Sequence, residues 1–305
     1  MTTAAAPALR VLSSHGDDDV ARVWVAETAD GSRVEFVESV QPPLTRDEKW
    51  VLIVSTLKGC PVGCPFCDAG GDYRGRLSAA EILAQADFML RRRYPDGRAP
   101  MPKLKVQLAR MGDPALNDAV LEVLAALPRM WEAPGLVPCL STIAPAGRER
   151  FYAGLLELRR TLYAGHPFQL QFSLHATDAA TRRRLVPWRT WSLAEIAAYG
   201  DRFFEPGGTK VSLNFAAARG MPLEPERLRE HFSPERFLVK LTPINPTRAR
   251  DRAGLSGVVD PGDPEAGRRL AARFAELGYE TILSIGDMRE NAIGSNCGMY
   301  VGRGA

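Results

Sequence analysis

The sequence predicts an α/β fold, a partial (β/α)6 barrel preceded by a β-hairpin. Three observations predict it. Short β-rich apolar runs alternate with helical segments from Trp50 to Ile285, the pattern of parallel βαβ units. Two alternating stretches flank Asp30-Gly31, and Asp-Gly in that setting is a strong hairpin signal. The 305 residues are 45% hydrophobic and 25% charged, a globular balance that excludes disordered, collagen-like and disulfide-miniprotein classes.

Residues 1–19 end in Gly16-Asp17-Asp18-Asp19 and are expected to form a loose, flexible leader. Residues 20–45 hold the hairpin, which Pro42-Pro43 stops. Residues 46–305 make the barrel, starting with a β-rich run at Trp50–Ser55. Ser78 and Glu81 form a capping box that opens a helix to Arg93. Strands are predicted over 103–109, 136–142, 168–174, 210–215, 237–242 and 280–285. Helices are predicted over 117–127, 146–162, 192–204, 224–231 and 267–277, the third opened by a second capping box at Ser192 and Glu195.

No apolar run approaches the roughly 18 residues of a membrane span. Met1 to Leu9 lacks the charged start and long apolar stretch of a signal peptide. A cytoplasmic protein with no membrane partner is expected. A net charge of +3 does not argue for nucleic acid, although it leaves room for a local basic groove.

Three of the five cysteines stand at Cys60, Cys64 and Cys67, with three and two residues between them. Clustered thiols in a chain without a secretion signal point to a metal. Soft thiolates select zinc or iron–sulfur centres. Structural zinc takes four ligands, so three local thiolates favour a 4Fe-4S cluster with one open corner. Zinc with a remote fourth ligand, or three unligated thiols, are the alternatives.

The Cys-x3-Cys-x2-Cys pattern with Phe66 resembles the radical S-adenosylmethionine (SAM) superfamily. Met111-Gly112-Asp113-Pro114, Leu140-Ser141-Thr142, Phe172-Ser173-Leu174-His175, Pro243-Ile244-Asn245-Pro246 and Ser295-Asn296-Cys297-Gly298 follow in order. Together they resemble the radical SAM enzymes that methylate adenine C2 or C8 in large-subunit ribosomal RNA. The resemblance runs from Ala21 to Val301. It implies a 4Fe-4S cluster on Cys60, Cys64 and Cys67, and SAM held by Gly112, Asp113, Ser141, Ser173, Leu174, His175 and Asn245. It implies Cys297 as the methyl carrier and Glu38 as the proton acceptor. It also implies a reductant such as flavodoxin or ferredoxin.

The sequence departs from the family in two ways. Ile53 stands seven residues before Cys60, where the family has a second thiol that resolves the substrate adduct. Cys139, two residues before Ser141, is either a substitute or a core-packing residue. The family also has an N-terminal accessory domain that helps hold RNA, whereas only the short leader precedes the hairpin here. Arg182, Arg183, Arg184 and Arg189 are either basic residues available to phosphate or a solvated helix face. These departures keep two substrate classes open, an RNA adenine and a smaller nucleoside, metabolite or peptide. Rival functions are another radical SAM reaction on a small molecule, and a non-catalytic zinc or iron–sulfur protein.

Overall fold

The computed structural model describes residues 8–260 and 262–301. Strands β1 (Leu9–Gly16), β2 (Ala21–Thr28), β3 (Arg33–Val40) and β4 (Trp50–Val54) form an antiparallel meander. A two-stranded ladder of β5 (Leu57–Lys58) and β6 (Gly75–Arg76) brackets the cysteine loop. Then come α1 (Ala79–Arg93), β7 (Leu104–Leu108), α2 (Ala119–Met130), β8 (Leu136–Thr142), α3 (Glu149–Thr161) and β9 (Gln169–Ser173). The chain continues through α4 (Ala179–Leu185), α5 (Leu193–Phe203), β10 (Val211–Ala216), α6 (Pro225–Arg229) and β11 (Phe237–Thr242). It ends with α7 (Arg248–Arg252), α8 (Pro264–Glu276), β12 (Thr281–Leu283) and α9 (Arg289–Ile293).

Among the described residues, ten strands make one sheet in the order β1-β2-β3-β4-β7-β8-β9-β10-β11-β12. From β4 onward every neighbouring pair is parallel. Among the described residues this order does not close on itself, so the barrel is partial, as the sequence predicts. Period-two alternation sorts the faces. On β7, Leu104, Val106 and Leu108 are wholly buried in the main core, while Lys105 and Gln107 point the other way. On β9, Leu170 and Phe172 are core, and Gln171 and Ser173 face a cavity. Each such core side chain stabilises the fold by roughly 1.5–3 kcal/mol. The opposite, polar face is what function uses.

The Ser78 box is present: Glu81 N–H donates to Ser78 Oγ (3.2 Å), and Ser78 N–H donates to the Glu81 carboxylate (2.7 Å). The expected loose leader is corrected at Leu9–Gly16, which is an edge strand paired with β2. Leu9 and Val11 pack against the main core, and the register breaks between Val11 and Ser13. That bulge, followed by the polar Ser13-Ser14-His15, hid the strand. Residues 1–7 of the expected leader lie outside the described residues. Among the described residues, no helix is long and apolar enough to cross a membrane.

Candidate active site

The C-terminal ends of the parallel strands open into a cavity of about 600 Å³, where α/β folds put their ligands. The loop after β5 brings Cys60, Cys64 and Cys67 to its wall, all three half-buried and free. Cys67 N–H donates to the Cys64 carbonyl (3.1 Å), and Cys60 N–H to the Ala69 carbonyl (2.9 Å), which closes the loop. Backbone N–H groups of Val62, Gly63 and Asp113 are aimed at Cys60 Sγ, and that of Ala69 at Cys67 Sγ. Burial raises all three thiols, and neighbouring thiols push Cys64 up further.

These observations fit an iron–sulfur cluster. Thiolates crowded in a partly buried loop need a metal's positive charge, and N–H donors to sulfur are what tune such centres. Among the described residues, no three His, Cys, Asp or Glu side chains stand grouped as a metal-ion site. Tetrahedral zinc with Zn–S near 2.3 Å would draw its sulfurs to about 4 Å from one another.

Gly112 lines the cavity at φ +84°, and a Cβ there would stand 2.3 Å from Leu57 Cγ, so only glycine fits. Asp113 is buried beside it. One carboxylate oxygen accepts from Thr142 Oγ1 (2.8 Å) and Ala115 N–H (2.9 Å), the other from Ile143 N–H (2.6 Å). Three of a carboxylate's roughly four acceptor positions are thus spent, two tying the turn to the end of β8 and one closing the turn itself. Burial still raises its pKa to about 6.

Ser141 and Ser173 face the cavity. Leu174 does not: its side chain is wholly buried in the main core, and its N–H donates to the Asn214 carbonyl (2.9 Å). His175 sits in the left-handed region at φ +62° and accepts from Ala216 N–H at Nδ1 (3.1 Å). Its ring meets Phe66 edge-on at 5.0 Å. Burial, helped by Arg182, lowers its pKa to about 3, so the ring is neutral with its proton on Nε2. The Asn245 side chain donates to the Cys297 carbonyl (2.9 Å).

Cys297 shares the cavity with the three loop cysteines. Asp68 N–H donates to the Gly298 carbonyl (2.8 Å), docking the late loop on the cysteine loop. Gly298 has φ +83°, and a Cβ there would meet the Phe66 carbonyl at 3.1 Å. Cys297 is the exposed cysteine, open to the cavity, yet protein atoms crowd it enough to raise its thiol against the pull of Arg110 and Lys240.

Glu38 is not brought to the site. Alternation on β3 turns it to the α1 side, where it pairs with Arg93 (2.6 Å) and Arg92 (3.6 Å). Its neighbour Ser39, of opposite facing, lines the cavity instead. Cys139 is buried, with its thiol donating to the Val137 carbonyl (3.4 Å), and it is absent from the cavity wall, whereas Ile53 lies on it. Arg182 is also unavailable to phosphate, because it is buried and donates to the Trp191 and Ile143 carbonyls (2.6 and 2.8 Å). Arg183, Arg184 and Arg189 are exposed.

Sequence reasoning missed Arg110. Its buried guanidinium donates to the carbonyls of Gly294 (2.8 Å), Ser295 (3.0 Å) and Asn296 (3.1 Å), and pairs with Glu35 (2.9 Å). Tyr300 covers it at 4.7 Å and donates its hydroxyl to the Arg110 carbonyl. Nothing in the local sequence signals a clasp that spans some 185 residues.

The fold is that of a radical SAM barrel. It matches a radical SAM methyltransferase from Sphaerobacter thermophilus with a TM-score of 0.72, covering 96% of this chain and 81% of that one at 22% identity. By sequence, the chain is 33% identical over 291 residues to a probable dual-specificity RNA methyltransferase RlmN from Parafrankia, covering 87% of this chain and 73% of the relative. It is 31% identical over 292 residues to the protein so named in Frankia casuarinae, covering 87% and 66%. The chain belongs to the RlmN methyltransferase family. It spans about two thirds to three quarters of the length of these relatives. No family model matches it.

Proposed function

We propose that this chain is a radical SAM C-methyltransferase in which Cys297 carries the methyl group to an sp² carbon. The observation that carries this reading is the docking of the Cys297 loop on the Cys60–Cys67 loop, which gives four thiols one cavity. Cys60, Cys64 and Cys67 would hold a 4Fe-4S cluster, and their raised thiols and backbone N–H donors fit that load. Such a cluster, when bound, supplies the one-electron reduction of SAM that starts radical chemistry.

The chain's own residues then have distinct work. Gly112 lets Leu57 pack against the turn that presents Asp113 to the cavity. Asp113 holds the wall by its bonds to Thr142 and Ile143 and has about one acceptor position left for the SAM ammonium. Ser141, Ser173 and neutral His175 line the SAM seat, and Asn245 orients the Cys297 backbone. Leu174 contributes by anchoring this strand end in the main core. Cys297, as thiolate, displaces the methyl from the sulfonium: an S–C bond forms as the sulfonium S–C bond breaks, and S-adenosylhomocysteine leaves. A thiolate is needed because an sp² carbon is not a nucleophile toward a sulfonium methyl.

The substrate is an RNA adenine, as the relatives' names have it for those proteins, or a smaller molecule. A reductant of the flavodoxin or ferredoxin kind is the electron source. Anaerobic reconstitution with iron and sulfide tests the reading. Wild type should bind iron, consume SAM on reduction and release S-adenosylhomocysteine, and Cys64→Ala should lose its iron. A protein that takes up zinc instead, with SAM unchanged, overturns it.

A further inference from the structure

The cavity floor holds a second kind of chemistry. Lys105 on β7 and Lys240 on β11 both face it, each half-buried. Their strands are separated by β8, β9 and β10, four spacings of roughly 4.8 Å along the sheet. They therefore approach the cavity from opposite walls of the curved barrel. Among the described residues, neither ammonium has an ion-pair or hydrogen-bond partner. The acids that share the cavity are engaged: Asp113 with Thr142 and Ile143, Asp287 with Arg289 (2.7 Å), Glu290 with Ser39 (3.1 Å). Lys240 feels Lys105 as a like charge and is lowered by burial and by that repulsion. Lys49, nearby, is lowered to about 8 by burial, Lys105, Lys103 and Lys240.

Asn214 adds an independent observation. It stands opposite Lys240 in the β10–β11 register and lines the same cavity. It is only 7% exposed, and its side-chain oxygen is buried with no partner. An unpaired buried acceptor is costly, and two half-buried like charges that face one cavity repel each other. A fold that keeps all three at one site has them for an occupant.

The geometry points to an oxyanion seat made by Lys105 and Lys240, with Asn214 accepting from an adjacent N–H or O–H of the substrate. The occupant is a small molecule carrying a carboxylate or phosphate. This rests on the methyltransferase reading, since it names that site's substrate class. RNA fits the floor poorly. A base flipped into a pocket is uncharged and is read by stacking and edge hydrogen bonds, whereas its phosphodiesters stay outside.

The test is calorimetric titration of reconstituted wild-type holoenzyme with inorganic phosphate and with succinate, at fixed ionic strength. At least one anion should bind saturably. Lys105→Met and Lys240→Met should each weaken it about tenfold or more, while Lys240→Arg should keep most of the affinity. A footprint needs no variant: the bound anion should shield Lys105 and Lys240 of wild type from acetylation, and leave exposed Lys103 unchanged. No saturable binding of either anion, undiminished binding in both Met variants, or unshielded lysines overturns the seat. Tighter phosphate assigns a phosphorylated substrate, and tighter succinate a carboxylate. A structured RNA that displaces the anion and shields both lysines overturns the small-molecule assignment. Cys297 methylation is measured in the same wild-type sample. Anion binding with unmethylated Cys297 leaves the seat and removes methyl carriage; methylated Cys297 without anion binding does the converse.

Discussion

Replacing Arg110 by Met should unfasten the Cys297 loop while leaving the strands in place. Met keeps much of the apolar stem and removes the guanidinium. Three donations to loop carbonyls are lost, at 2.8, 3.0 and 3.1 Å, together with the buried pair to Glu35. Hydrogen bonds to a charged group contribute about 1.5–3 kcal/mol each, and breaking a buried pair costs about 3–5 kcal/mol. These overlap and are not summed, so about 3 kcal/mol of local stability is a conservative figure. In a loop that opens independently, that is roughly a hundredfold faster amide exchange. The reporters are Ser295 and Met299, whose N–H groups bond Glu290 (3.1 Å) and Asn296 (3.1 Å). Arg110→Lys should not rescue, because an ammonium cannot reach three carbonyls and a carboxylate together. Unchanged exchange at Ser295 and Met299 in Arg110→Met would refute the clasp.

Two further predictions concern the cavity wall. Gly112→Ala must accept both φ +84° and a Cβ 2.3 Å from Leu57 Cγ, so it should destabilise by about 2 kcal/mol or more in denaturant titration; a change under about 0.5 kcal/mol would dismiss the steric argument. His175 titrates near 6.5 when unfolded but only near 3 when folded. The unfolded state therefore binds more protons between these values, and stability that is full above pH 6.5 is lost as pH falls toward 3, by up to about 1.4 kcal/mol per pH unit. His175→Asn, which tolerates the left-handed backbone, should flatten that slope in melts between pH 7 and 5, and parallel slopes would exclude His175 as its source.

Much of the fold was legible because local signals agreed with it. Leu136–Thr142 and Phe237–Thr242 were read at their observed bounds, since each is a β-rich run between breakers. The strands show period two because their inner face is a polar cavity, not a second apolar layer. Lys105 and Gln107 in Leu-Lys-Val-Gln-Leu were therefore readable as inward-facing, although their sequence looks like a half-solvated strand. Facing is where motif reasoning failed for Glu38. Its position in Val-Glu-Ser-Val was visible, but the β3–β4 register opposes Glu38 to core residue Leu52, and only long-range pairing sets that register. Arg110 failed for the same reason, as its partners lie near the far end of the chain. Short α4 was legible as a basic helix face over Arg182, Arg183 and Arg184, but not its start, which depends on the Asp178 cap (2.8 Å to Thr181 N–H).

The central claim is that Cys297 becomes the methyl carrier, and peptide mass spectrometry of the reconstituted protein after incubation with SAM tests it most directly. The account predicts a Cys297 peptide heavier by one methylene, with Cys60, Cys64, Cys67 and Cys139 unmodified. A cluster-loaded protein that turns SAM over while its Cys297 peptide stays at the unmodified mass would contradict it.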